Sequence, residues 1–145
     1  MSTTPLFEPI CDGGHQLAIV VRHGHSVDKY NFATARESPL QLGVTFYRAG
    51  DQVPAHGHHP RLLGTRDCQE LLLVVEGGIE VALIRNDASV VTVVRLGPGE
   101  AILLQQGAHA VRCLADTRLL EVKQGPYVSP DQDKYPVSGR SPGGA

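Results

Sequence analysis

Short apolar runs, each closed by glycine, proline, asparagine or aspartate, set the limits on what this chain can fold into. Such runs, recurring every 8 to 12 residues or so, suit an antiparallel sandwich or barrel. Residues 16–22, 40–48, 53–58, 70–75, 79–85, 89–95, 100–104, 109–113 and 117–123 read as strands. Glu76-Gly77-Gly78 reads as a hairpin turn, and Asn86-Asp87, Leu96-Gly97-Pro98-Gly99 and Ala115-Asp116 as further turns. Helical periodicity is almost absent, with one short helical turn expected around Phe32 to Arg36. Gln16 to Arg22 is apolar without alternation, which predicts a strand buried on both faces. The expected fold class is therefore all-β.

A chain of 145 residues is one domain's worth, long enough to bury a core without staples. Its expected parts are an N-terminal arm and strand packing on the main body (1–39), the body itself (40–127) and a flexible tail rich in Pro, Gly and Ser (128–145). The net charge of -2 argues against a dedicated nucleic-acid partner or an anionic membrane surface. No apolar run reaches the roughly 20 residues that span a bilayer, and the first residues lack a signal-peptide pattern. Cys11, Cys68 and Cys113 are an odd number without C-x-x-C spacing, as expected of reduced, buried thiols in a cytoplasmic protein.

Chemistry concentrates between Gly50 and Gly77. His56 and His58 are one residue apart, so an extended strand presents both imidazoles on one face. Glu70 opens the next apolar run, and His109 waits in a later one. Three neutral imidazoles and one carboxylate suit a divalent ion of the first transition row, Fe, Mn, Ni or Zn, with positions left for water or a ligand. A second histidine motif lies upstream, where the strand at 16–22 runs into Arg22-His23-Gly24.

Two resemblances bear on these residues. Gly50-x5-His56-x-His58 with Glu70-x6-Gly77, and Pro98-Gly99-Glu100 with Gly107 and His109, resemble the two motifs of the cupins. That resemblance covers roughly residues 40–123 and implies a double-stranded β-helix (jelly-roll) barrel. It also implies a divalent metal held by His56, His58, Glu70 and His109. Eleven residues separate His58 from Glu70, a longer insertion than the family motif has, and small bacterial cupins of one subgroup share such an insertion. Arg22-His23-Gly24 resembles the opening of the histidine phosphatases, a remote alternative that requires a larger α/β domain.

Arg61 and Arg66, in the inserted loop, are candidate holders of an anionic ligand, and Gln105 and Tyr127 are candidate lining residues. Three functions remain open. The metal serves an enzyme, a dioxygenase or isomerase of a small polar molecule; or it anchors a carbohydrate-like or carboxylate ligand without turnover; or it braces the barrel. A small-molecule ligand is the expected partner. A homodimer through sheet edges or an exchanged N-terminal strand is also expected, with residues 17–21 as the natural contributor.

Overall fold

The computed structural model describes residues 4–24, 29–60 and 64–137. Ten strands and one short helix are present among them: β1 Phe7–Asp12, β2 His15–Val21, β3 Tyr30–Phe32, β4 Gly43–Thr45, β5 Glu70–Glu76, β6 Ile79–Ile84, β7 Val90–Leu96, β8 Ala101–Leu104, β9 Ala108–Cys113, β10 Arg118–Lys123 and α1 Pro130–Asp133. The protein is all-β and every sheet is antiparallel. One sheet has five strands in the order β1-β2-β8-β5-β10, a second has three in the order β7-β6-β9, and β3 and β4 form a separate pair.

Strand parity decides what lies between the two large sheets. One face of the five-stranded sheet carries the rows Ile10–Ala18–Leu104–Glu70–Lys123 and Glu8–Val20–Ile102–Leu72–Glu121, read across β1, β2, β8, β5 and β10. Ala18, Val20, Leu72, Ile102 and Leu104 from these rows pack with Ile79, Val81, Leu83, Val94 and Leu96 of the other sheet in a single apolar cluster. This is therefore the inner face. The opposite face carries Pro9–Ile19–Leu103–Leu71–Val122 and Phe7–Val21–Ala101–Leu73–Leu120, ten apolar residues in two rows. Apolar residues on both faces explain why β2 and β8 read as continuous hydrophobic runs, and Ala18, Ile19 and Val20 are buried as expected.

Several expectations give way here. Glu76 to Gly78 is not a hairpin turn, because β5 and β6 belong to different sheets. Gly77, at φ +80°, turns the chain from one sheet to the other against the Asp116 carbonyl and Thr117, where a Cβ has no room. Residues 53–58 form no strand, and of 40–48 only Gly43–Thr45 is extended and paired. Pro54 and Gly57 weaken the strand tendency, and no described strand lies alongside to supply a ladder. Residues 45–60 are exposed throughout. Around Phe32 to Arg36 the chain turns without forming a helix. The three thiols are exposed, not buried: Cys11 lies on edge strand β1, Cys113 ends edge strand β9 and Cys68 sits in coil. Finally, β2 lies between β1 and β8 of the same chain rather than at a sheet edge.

Candidate functional site

The inner face turns polar at one end. Glu70 lies opposite Leu104 on one side and Lys123 on the other, while on the second sheet His109 lies opposite Leu83. Leu83 and Leu104 both belong to the apolar cluster, so Glu70 and His109 extend facing rows beyond it. Their side chains meet across the gap, His109 Nε2 to Glu70 Oε2 at 3.5 Å, with Glu70 17% and His109 31% exposed. The His109 contact holds the Glu70 carboxyl below its ordinary 4.5, against the upward push of desolvation. A smaller downward contribution comes from the Lys123 charge.

Lys123 and Glu121 share β10 and, by parity, the inner face. The Lys123 ammonium donates to Asp133 Oδ2 at 2.9 Å, lies 3.8 Å from Glu121 and stands 5.7 Å from the Tyr127 ring centroid. The Asp133 bond is the main reason that Lys123 stays protonated above its usual value. Glu70, His109, Glu121, Lys123 and Asp133 thus form one polar cluster at the end of the core. Tyr127 approaches it through its ring and is itself exposed.

The other two expected donors lie elsewhere. His56 and His58 are exposed on the coil before β5, their rings 5.2 Å apart and edge to face. His56 Nδ1 lies 2.9 Å from the Pro54 carbonyl. A carbonyl only accepts, so Nδ1 carries the proton in that contact and Nε2 is the ring position left for a metal. The donor chemistry suits a divalent transition metal, but the four groups stand as two pairs. Among the described residues no three His, Cys, Asp or Glu side chains are grouped to share an ion.

The candidate lining residues separate as well. Gln105 accepts a hydrogen bond from Gln16 Nε2 at 2.8 Å, and its backbone N–H donates to Leu17, so it ties the β8–β9 turn to β2. Arg66 lines a cavity of about 260 Å³ with Gln124, Gly125, Gln132 and Asp133. Arg61 lies outside the described residues. In the Arg22-His23-Gly24 motif, Arg22 is committed to Glu8, Glu100 and the Arg95 carbonyl, and His23 Nε2 donates to the Pro98 carbonyl at 2.8 Å. Those contacts staple the end of β2 to the β7–β8 turn.

Glu121, Lys123 and Asp133 were not recognisable as site residues from spacing. Lys123 needs the β10–β5 register to be placed beside Glu70, and Asp133 reaches Lys123 only because α1 follows. Comparison with protein-family models, with curated proteins and with solved structures gives no match.

Proposed function

We propose that the chain is a metal-binding cupin, a jelly-roll protein that takes a small polar ligand at a divalent ion held by Glu70, His109, His56 and His58. The observation that carries this reading is the Glu70–His109 contact at 3.5 Å, made by side chains from two different sheets at the polar end of the core. The Nε2 position that His56 leaves for a metal supports it further, with His58 beside it. Assembly of the full set requires the exposed segment 45–60 to close on that pair. Residues 45–60 are exposed, so little burial among the described residues opposes such a movement. A bound dication supplies Lewis acidity to a ligand oxygen. The chain's own contribution is a carboxylate kept ionised at Glu70 and a cation at Lys123 to orient the ligand.

Metal content by mass spectrometry tests the reading. Wild-type protein, loaded with Fe, Mn, Ni or Zn and desalted, should retain about one ion per chain. His56→Ala/His58→Ala should lose it, because only Glu70 and His109 are then left and a transition metal needs at least three protein donors for tight retention. Undiminished metal in the double-histidine variant overturns the proposal.

A further inference from the structure

We infer that the cavity between residues 65–68 and 124–133 binds a small dicarboxylate through Arg66 and Lys123, and that Asp133 is an internal stand-in which the ligand displaces. Three observations carry this, and none rests on the metal. Lys123 is mostly buried, 19% exposed, and its closest anionic partner is a carboxylate that comes not from a strand but from the segment after β10. Asp133 lines the cavity and Lys123 does not, so a ligand in the cavity meets the Lys123 ammonium only where Asp133 gives way. Arg66 lines the same cavity and, among the described residues, makes no hydrogen bond or ion pair.

The segment bearing Asp133 is lightly held. Tyr127, Val128 and Tyr135 are all exposed, and the α1 backbone bonds run to Ser129 within the segment itself. Little apolar burial opposes its release. Exchange of one carboxylate for another on Lys123 leaves the local charge as it was, and a second carboxylate answers the unpaired Arg66 guanidinium, which favours planar, two-oxygen partners. The negative groups nearby are Asp67 on the cavity wall and Glu121 and Glu70 beside Lys123. They disfavour an anion such as phosphate that concentrates two charges on one centre. The cavity, about 260 Å³, falls just under the range of drug-sized pockets and limits the ligand to a few carbons.

The test uses succinate and metal-free protein, which separates failure here from failure of the metal site. Asp133→Asn keeps the shape and removes the competing charge, so succinate should bind it about tenfold more tightly than wild type by calorimetry. Arg66→Gln in that background should remove the gain. In the unmodified protein, succinate should speed trypsin cleavage after Lys134 as the segment lifts, which keeps the test independent of how the variants fold. Equal succinate affinity in wild type and Asp133→Asn, stronger binding of inorganic phosphate than of succinate, or cleavage after Lys134 unaffected by succinate each overturns the inference.

Discussion

Replacing Ile102 with alanine probes the assignment of inner and outer faces. Ile102 is fully buried at the middle of the five-stranded sheet, between Val20 of β2 and Leu72 of β5 on the inner face. Both neighbouring strands are hydrogen-bonded to β8, so the backbone has little freedom to collapse into the space left behind. Ile→Ala at such a site costs about 2–5 kcal/mol from lost transfer energy and the residual cavity, and the rigid surroundings place this one near 3 kcal/mol. For a chain of this size that lowers Tm by roughly 6–12 °C. The paired control is Leu120→Ala, on the outer face of edge strand β10 and 48% exposed, which should cost under about 1 kcal/mol. Urea unfolding followed by circular dichroism reads both, the shift in midpoint being interpreted at constant m. Equal costs at the two positions would refute the reasoning, because they would mean that the Ile102 side of the sheet is no more packed than the Leu120 side.

Gly77→Ala should lose more than about 2 kcal/mol, since φ +80° costs about 1–2 kcal/mol for an L side chain and the new Cβ meets the Asp116 carbonyl as well. Gly97→Ala, where the nearest atom is 3.8 Å from a Cβ, should change stability far less, and thermal melts that rank the two in the opposite order contradict the turn geometry. Glu80 is held below its ordinary 4.5 by Arg112 first and Arg95 second, against desolvation. A depressed carboxyl contributes stability that is present above its unfolded value and lost as pH falls through its folded one, so acidification below about pH 5 should erode it. Glu80→Gln should flatten that limb of the Tm–pH curve; a slope identical to wild type would remove Glu80 from the account.

The strands that the pattern places well are those flanked by strong turns. β5, β6, β7 and β8 fall within a residue or two of their expected bounds because Gly77-Gly78, Asn86-Asp87 and Gly97-Pro98-Gly99 end the apolar runs sharply. β1 escapes local reading because Glu8, Pro9 and Asp12 break its apolar character, and the ladder offered by β2 makes it a strand. The reverse holds at 53–58, where a strand-like stretch finds no described partner and stays coil. Of the four donors expected from the sequence, Glu70 and His109 lie side by side, whereas His56 and His58 stand apart from them. Glu121 and Lys123 were not legible from spacing, because parity along β10 has no meaning until its register against β5 is set. Partner choice over long separations is a property of the whole packing, and no window of sequence contains it.

The position of β2 in its sheet also sets an order of events. Val21 lies opposite Ala101, eighty positions later, so the ladder between β2 and β8 forms only after a loop of that length has closed. β1 and β2 can pair as soon as they exist, but as a two-stranded ribbon with most of its apolar surface uncovered. During synthesis that ribbon must wait for the middle of the chain before it is buried. Folding dominated by such non-local pairing belongs to the slow, millisecond-to-second class, and until β8 arrives the ribbon's apolar face stays open to other chains.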